Sequence, residues 1–507
     1  MRVGFWLKPW NSLVLSGLWV LAGAPCFSQV EEDFDRTKIV SHAFFVRQDC
    51  NASNCHGREG IEEEVWKSSG DVWLKRDPHA SAYVGLSSAE SLRMVQRLWP
   101  QGEALPETTK SEGYVEFLES RCVACHASEL APRTQRVFGV DCQSCHGSAG
   151  VWGDGHYSPQ WRGMGAKRFA DSTARGRVNT GDLWQLVEVC AACHVGQLGR
   201  DAEFRFEDGE EIPFGDREVT HTLMAAGHPP TYFEFSHAMQ RYPRHWDTAG
   251  VSGEKEGDAE IELWRIGQLV TARQRVRLLQ GRVQRGADWE LTEYRCSSCH
   301  HEVGGQVAER DPHGLGHVPW DGWYMEQVEL ALLLSDIRSK DSNVEVGKTG
   351  LSDGSGDSDS IVREWSEALQ RLRLLMEVPN AMRMEDSRRG IAQECEGMLE
   401  ILDPLIESRV GIKLPLDWAQ VDRKLFQSER FKSWESGVQW QRAAGVIARR
   451  RGIQEAFKAE GVYEPSWGLP RGTWRRGDRM NYSGSREYPR DITEWVEQIA
   501  ETMKRKP

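Results

Sequence analysis

The stretch RCVACHASELAPRTQRVFGVDCQSCHG, residues 121–147, carries one short pattern twice. In each copy two residues separate a pair of cysteines, and a histidine follows the second cysteine directly. Ten of the 12 cysteines in the chain form five close pairs, and a histidine follows every pair, although only 15 of the 507 residues are histidine. The pairs are Cys50/Cys55, Cys122/Cys125, Cys142/Cys145, Cys190/Cys193 and Cys296/Cys299, and the histidines are His56, His126, His146, His194 and His300. This coincidence indicates one shared chemical role.

Three kinds of site use cysteines at short spacing. Disulfides suit an exported protein, but they do not need a histidine after each second cysteine. Structural zinc binds C-x-x-C motifs in twos, which explains neither the odd number of pairs nor the adjacent histidines. Covalent haem c explains both, because the two thiols bind the porphyrin vinyl groups and the next imidazole reaches the iron. We therefore expect haem c at the four C-x-x-C-H motifs.

The first pair, within DCNASNCHG at residues 49–57, is spaced differently. Four residues separate Cys50 from Cys55, where the other pairs have two. These four residues are small or compatible with a turn, so they can bow outward while both sulfurs keep their positions. The glycine after the histidine recurs after the motif at residues 142–146. We expect a fifth attached haem here, with half of a zinc site or a disulfide loop as the alternatives.

The spacing of the motifs predicts closely packed haems. Those at Cys122 and Cys142 begin only 20 residues apart, and glycine- and proline-rich loops such as residues 146–159 lie between motifs. Since cofactors would occupy much of the core, we expect little long periodic secondary structure between residues 50 and 300. Close haems pass electrons readily, which indicates electron transfer as the purpose of the arrangement.

The composition is that of a globular chain with an acidic balance. Hydrophobic residues make up 39% and charged residues 27% of the chain, close to the usual values for soluble proteins. The net charge is −13 and no long run of lysine or arginine occurs, which argues against nucleic acid as a partner. The 21 tryptophans suit either large flat ligands or a Trp-rich core.

Residues 1–28 have the features of a secretory signal peptide. A positively charged start precedes the apolar run SLVLSGLWVLAGA at residues 12–24, which is short for a bilayer span. Cys26 suggests a lipoprotein, but Pro25 stands before it, where a small residue is expected. We expect an exported, periplasmic protein with no integral membrane span, and a retained or lipidated N-terminus is the alternative.

After about residue 325 the pattern becomes helical. Residues 325–337, MEQVELALLLSDI, predict a helix, and the polar residues 340–360 predict a flexible loop. Two apolar stripes at helical spacing follow, one at Val362, Trp365, Leu369, Leu372 and Met376, the other at Ile391, Cys395, Met398 and Leu402. Cys395 is therefore expected to be a buried apolar side chain rather than a reactive thiol.

Each iron has a second axial position, and its occupant decides the function. A second histidine gives a six-coordinate electron carrier, whereas an open position can bind a small molecule. The ten histidines outside the motifs are His42, His79, His156, His221, His228, His237, His245, His301, His313 and His317. Their number permits five bis-histidine haems without demanding them.

Several segments around the motifs form a recognisable set. They are DPHASAY at His79, CVACHA, GVDCQSCHGSAG, CAACHVG, HTLMAAGHP with His221 and His228, PRHW at His245, and YRCSSCHH. In this set the chain resembles the multihaem cytochromes c related to cytochrome c-554, the tetrahaem electron acceptor of hydroxylamine oxidoreductase. The similarity covers roughly residues 40–302. It implies a mainly α, loop-rich fold around closely stacked haems, mostly with bis-histidine ligation, and electron transfer outside the cytoplasm.

The resemblance also implies which histidines bind the second axial positions. It favours His79, His156, His221 and His228, then His42, with His245 in reserve. The chain departs from the tetrahaem pattern in its fifth site and its long C-terminal region, which leaves the redox partner open. One haem of the tetrahaem relatives lacks a distal ligand, so the resemblance also allows one open iron.

The expected organisation is a mainly α chain with a pentahaem cytochrome c domain at residues 29–324 and a helical C-terminal region at residues 325–507. The favoured function is electron transfer between periplasmic redox proteins rather than catalysis. The alternative is an oxidoreductase acting on a small nitrogen or sulfur oxyspecies at one open, five-coordinate haem. A third hypothesis is association with a membrane respiratory complex through the C-terminal region.

Overall fold

The structure is a computed structural model that describes most of the chain between residues 50 and 451. The described residues are 50, 52, 55–58, 65–128, 133–153, 155–199, 203–205, 211–213, 215–246, 256–286, 290–294, 320–337, 358–377, 384–412, 416–425 and 434–451. Within them the fold is mainly α, as predicted. The sites of five sequence predictions lie outside them, namely the signal peptide, His42, the motif at 296–300, the histidines at 301, 313 and 317, and nearly all of the loop at 340–360.

Short helices dominate the chain up to residue 246. They are α1 (Ser69–Arg76), α2 (Ala82–Gly85), α3 (Ala89–Leu98), α4 (Glu112–Arg121), α5 (Val123–His126), α6 (Cys142–His146), α7 (Ala149–Trp152), α8 (Pro159–Gly163), α9 (Lys167–Ala174), α10 (Leu183–His194), α11 (His221–Ala226) and α12 (Phe235–Arg241). Turns of 3₁₀ helix occur at Val65–Ser68, Pro78–Ser81 and Arg133–Phe138, and a fourth lies later in the chain at Leu291–Glu293. Strands β1 (Glu203–Arg205) and β2 (Glu211–Pro213) form an antiparallel hairpin.

Longer helices make up the rest of the described chain. They are α13 (Glu256–Gln284), α14 (Val328–Leu333), α15 (Ser358–Glu377), α16 (Met384–Glu407), α17 (Trp418–Leu425) and α18 (Trp434–Arg451). Helices α14, α15 and α16 confirm the helices predicted from the apolar stripes. Leu372, Ile391 and Cys395 are fully buried, which also confirms the interpretation of Cys395 as a core side chain.

Helix α13 corrects the expectation of little long secondary structure between residues 50 and 300. It is 29 residues long and packs against α10, α16 and α18. Because it is enclosed on several sides, its apolar residues do not fall on one face, and the usual helical period is lost. Arg265 and Arg275 are also buried along it, and they pair with Glu262 and Glu293. A helix of this kind gives no amphipathic signal in the sequence.

One hydrophobic core joins helices from both sides of residue 324, the expected domain boundary. It includes Trp184 on α10 and Trp264 on α13 together with Trp365, Met398 and Trp440 on the later helices. Five of the described tryptophans are fully buried, namely Trp264, Trp320, Trp323, Trp365 and Trp440. For these five, a Trp-rich core is a better interpretation than contact with a large flat ligand. The C-terminal helices therefore support α10 and α13 directly.

None of the helices in the described part of the chain is both long and apolar enough to cross a membrane. Helix α13 has the length, but arginine and glutamate recur along it.

Candidate functional site

Three of the C-x-x-C-H motifs lie on helices. His126 is the last residue of α5, His146 the last of α6 and His194 the last of α10. In a helix, residues three and four positions apart lie on the same face. The second cysteine and the histidine follow the first cysteine at these distances, so one helical turn presents two thiols and an imidazole to the same side. This local geometry is what covalent attachment and axial ligation require together.

Residues next to the motif fix where helix α6 begins and ends. The Asp141 side chain caps its start by accepting a hydrogen bond from the backbone N–H of Gln143 at 2.9 Å. Gly147 follows its last residue with φ +79°, a conformation that favours glycine. A Cβ at this position would also lie 2.5 Å from the carbonyl oxygen of Gly176. The backbone therefore passes close beside the motif histidine.

Backbone hydrogen bonds connect the described residues of the widened first site. The carbonyl oxygen of Ala52 accepts hydrogen bonds from the backbone N–H groups of Cys55, at 2.8 Å, and Gly57, at 3.1 Å. The His56 carbonyl accepts a hydrogen bond from Gly70 at 2.8 Å, which ties the turn to α1. His56 is thus held beside α1, and it lines the cavity.

Each described motif histidine faces one histidine from outside the motifs. The ring centroids are 6.4 Å apart for His56 and His156, 6.2 Å for His126 and His228, 6.4 Å for His146 and His245, and 5.9 Å for His194 and His79. The two rings are nearly parallel, at 12°, in the first pair and nearly perpendicular, at 84° and 83°, in the second and fourth. In all four pairs the ring centroids are therefore 5.9–6.4 Å apart.

The distance within these pairs fits two imidazoles on opposite sides of one iron. A ligating imidazole nitrogen lies about 2 Å from the metal and its ring centroid about 1.1 Å further back, so two trans ligands have centroids about 6.2 Å apart. Among the described residues, no three His, Cys, Asp or Glu side chains converge to hold a bare metal ion. Two imidazoles alone suit a metal whose other ligands come from a macrocycle, so the residues fit haem.

The pairs surround a single large cavity of about 2380 Å³. Small-molecule sites usually have about 300–1,000 Å³, so the space exceeds what one ligand of ordinary size would fill. Seven of the eight paired histidines line it: His56, His79, His126, His146, His194, His228 and His245. Motif cysteines from three sites line it as well, namely Cys122, Cys125, Cys145, Cys190 and Cys193. The cavity therefore joins the attachment sites into one space.

Hydrogen bonds hold the rings in the orientation that ligation needs. In four of the paired histidines Nδ1 bonds a backbone carbonyl: His56 to Trp66 at 2.8 Å, His126 to Ala82 at 3.1 Å, His156 to Gly153 at 2.6 Å, and His228 to Pro229 at 2.8 Å. A carbonyl only accepts, so Nδ1 is the donor and the unprotonated nitrogen is Nε2. This arrangement is the one that metal-ligating histidines generally adopt.

His79 differs because its acceptor is a carboxylate. Its Nδ1 donates to Asp77 Oδ1 at 2.8 Å, and its backbone N–H donates to the same oxygen at 3.0 Å. The Tyr242 hydroxyl donates to the other carboxylate oxygen. Burial opposes the charge on Asp77, but these hydrogen bonds outweigh it and hold the pKa of the carboxyl below its usual value. Asp77 is thus a buried anion that makes the His79 imidazole more basic.

Most of the paired imidazoles are held in the neutral form, which is the form that binds a metal. Burial lowers the pKa of His146 to about 4. It also lowers the pKa of four others, His156, His194, His228 and His245. In contrast, the pKa of His79 is raised because of its hydrogen bond to Asp77.

Three of the motif thiols, those of Cys122, Cys145 and Cys190, have raised pKa values because they are buried. Burial raises the pKa of Cys122 to about 11 and that of Cys190 to about 12. Burial also raises the pKa of Cys145, and the neighbouring Cys190 and Cys193 add to the effect. The attachment points of the motifs at 142–146 and 190–194 are therefore neighbours, as close packing of two haems requires.

An arginine with shielded guanidinium nitrogens lies near two of the pairs. The Nε and Nη2 atoms of Arg177 are shielded from solvent and have no hydrogen-bond partner among the described residues. Its charge lowers the pKa of both His146 and His156. A shielded cation of this kind needs an anion, and haem carries propionate carboxylates that could supply it. Arg177 is a residue that the motif pattern did not indicate.

The structure changes the order of the distal candidates. His79, His156 and His228 each face a motif histidine, as the resemblance implied, and His245, the reserve, faces His146. His221 begins α11 and does not line the cavity, so its assignment stays a prediction. His237 does not line the cavity either. The PRHW segment was the only sequence signal for His245.

No protein-family model, curated protein or solved structure matches the chain. The resemblance to multihaem cytochromes c therefore remains a prediction from the motifs, and the residue geometry carries the functional argument.

Proposed function

We propose that the chain is an exported multihaem cytochrome that transfers electrons between redox proteins. It would hold four haem groups covalently at the described motifs, each between a motif histidine and a distal histidine. A fifth would be attached at Cys296 and Cys299, with His300 as its axial ligand. The observation that carries the proposal is the repeated distance of 5.9–6.4 Å between four motif histidines and four histidines far away in the sequence.

The chain's own residues would do three things in this function. Haem, when bound, supplies an iron that takes up and releases one electron. Two imidazoles at each of the four described positions would hold the metal and keep substrates away from it. The Nδ1 hydrogen bonds hold the rings in place, so little rearrangement accompanies a change of charge. The shared cavity keeps the sites close, which favours transfer from one to the next.

Localisation and partners follow from the same proposal. Covalent haem attachment and the signal-like N-terminus favour the periplasm, where other redox proteins would be the partners. Attachment to a membrane respiratory complex through residues 325–507 is a finer form of this proposal. Deletion of that region would remove α14 to α18, which share the core of α10, so surface substitutions on α15 are the better test of it.

The first experiment is an intact mass of the haem-loaded chain, followed by low-temperature electron paramagnetic resonance of the oxidised protein. Five haem additions and only low-spin signals are expected. Because ring orientation changes the splitting of the iron d orbitals, the parallel pair at His56 and His156 should give g values distinct from those of the perpendicular pairs. A mass without any haem would overturn the proposal.

The rival function, catalysis on a small nitrogen or sulfur oxyspecies, needs one open iron. Each of the four described motif histidines has a histidine opposite it. An open iron would therefore belong to the motif at residues 296–300. A high-spin ferric signal that integrates to about one haem per chain would favour this function. Titration with nitrite or hydroxylamine should then shift that signal and leave the low-spin signals unchanged.

A further inference from the structure

One part of the cavity wall is exposed to solvent. Helices α8 and α9 and their flanks, residues 157–177, project from the short helices of the first half. Within them Tyr157, Met164 and Phe169 are exposed by 58%, 39% and 47%. Phe169 also lines the cavity, so the same side chain contacts both the site and the solvent. We call residues 157–177 the basic aromatic surface.

Aromatic contacts connect this surface to a ligand pair. The His156 ring lies 5.5 Å from the Tyr157 ring and 6.0 Å from the Trp161 ring, measured between centroids. Trp161 in turn contacts Phe169 at 6.2 Å. The Trp161 Nε1 donates to Ser172 Oγ at 2.9 Å, which fastens α8 to α9. The surface is therefore rigidly attached to the pair formed by His56 and His156.

The charge of the surface is opposite to that of the whole chain. Besides Arg177, four basic residues, Arg162, Lys167, Arg168 and Arg175, and a single acidic residue, Asp171, which pairs with Arg175 at 2.9 Å, occur within it, whereas the chain carries −13. Arg168 lies over the rings of Trp161 and Phe169 at 5.2 Å and 4.8 Å. Cations above exposed aromatic rings form a surface that is both apolar and positive. An acidic protein patch would complement it.

We propose that the basic aromatic surface docks an acidic redox protein that exchanges electrons with the site at His56 and His156. In the reducing direction, a haem held by His56 and His156 would accept one electron from the partner's reduced centre, and no covalent bond would form or break. The inference rests on the proposed function and adds the place and charge of the partner. An acidic protein is favoured over a membrane because the exposed side chains are flat aromatic groups close to a ligand rather than an apolar helix face.

The test uses the haem-loaded full chain and a reduced plant-type ferredoxin, a small acidic iron–sulfur protein, in stopped-flow experiments. The variant Arg162→Glu/Lys167→Glu reverses two exposed charges on the surface. The matched control, Lys110→Glu/Arg363→Glu, reverses two exposed charges elsewhere. Photoreduced lumiflavin, a small neutral reductant, serves as a second probe of the same proteins.

For the unaltered chain the reaction with ferredoxin should slow as salt is added, because attraction between opposite charges is screened. We expect the surface variant to react about tenfold more slowly at low salt and to lose most of the salt dependence, since steering by charge changes association rates by about 10-fold or more. The control variant should keep the rate, and reduction by lumiflavin should be the same in all three proteins.

Three outcomes would overturn the docking proposal. They are an unchanged rate in the surface variant, equal slowing in the control, and equal slowing with lumiflavin, which would place the effect at the haem. Binding of the unaltered chain to vesicles of anionic lipid without any rate effect would assign the surface to a membrane instead. A chain that neither reagent reduces would overturn the proposed function itself, which keeps the two failures distinct.

Discussion

The cavity region, residues 50–246, and the helical bundle, α13 to α18, fill their interiors in different ways. In the bundle the interior consists of apolar side chains such as Trp365, Leu372 and Met398, all fully buried. In the cavity region most helices are shorter than three turns, and they enclose a space of about 2380 Å³. Protein interiors are normally packed as densely as organic crystals. The first region therefore depends on the groups that would fill its cavity, and the second does not.

Helix α10 connects the two kinds of interior. Its Trp184 and Val187 are buried in the hydrophobic core, while Cys190 and His194 line the cavity. The bundle thus supplies a rigid support for one motif, whereas the motif at 122–126 rests on short helices with a small core of their own, which includes Tyr114 and Leu118. The apolar bundle therefore supports the motif at 190–194 directly, whereas the motif at 122–126 has a separate core.

The largest expected effect is that of preventing haem attachment. Ligands that bind only the folded state stabilise it, so the chain without haem should lose amide-exchange protection in α5 to α9. Helices α15 and α16 should keep their protection, and they serve as the internal reference. Equal protection in both regions, measured by hydrogen exchange with mass spectrometry, would contradict the contrast between the two interiors.

The next effect is confined to one iron. His245→Ala removes the ring opposite His146, so one haem per chain should change from low-spin to high-spin. Added imidazole should restore the low-spin state by occupying the same space. His237→Ala is the matched control, because His237 does not line the cavity, and its spectrum should stay unchanged. An unchanged spectrum in the His245 variant would show that another residue binds the iron opposite His146.

A third prediction tests the bundle with two leucines of one helix. Leu372 is fully buried on α15, and Leu374 is 61% exposed. Leu372→Ala should lower the free energy of unfolding by about 2–5 kcal/mol, whereas Leu374→Ala should change it by less than about 0.5 kcal/mol. Denaturant unfolding followed by circular dichroism measures both. The haem absorption of the folded variants should be identical, and a shifted spectrum for Leu372→Ala would show that the two interiors are coupled.

The smallest effect concerns the carboxylate beside His79. A charged acceptor makes the imidazole a stronger ligand for ferric iron, so Asp77→Asn should raise the reduction potential of that haem. A hydrogen bond to a charged partner contributes about 1 kcal/mol more free energy than one to a neutral partner. This difference corresponds to roughly 40 mV for one electron. Spectropotentiometry would measure the shift, with Asp71→Asn on α1 as the control. A shift of the same size in the control would assign the effect to overall charge.

The features predicted from the sequence are those with a local cause. The apolar stripes of α15 and α16 were visible because each helix packs mainly through one face. Helix α13 was missed because neighbours surround it and buried arginines such as Arg265 interrupt its apolar pattern. Arg177 belongs to no motif. It became a candidate partner for haem propionates only when its place near His146 and His156 was known.

The candidate attachment residues could be proposed from the sequence because covalent attachment and ligation of haem would need two thiols and an imidazole within a few positions of each other. The distal histidines could not be read in the same way. Each belongs to a segment far from its motif, and the resemblance favoured His221 and placed His245 only in reserve. Only the tertiary structure brought His245 opposite His146 and exposed Phe169 at the cavity wall, because such placements depend on how distant helices pack rather than on local spacing.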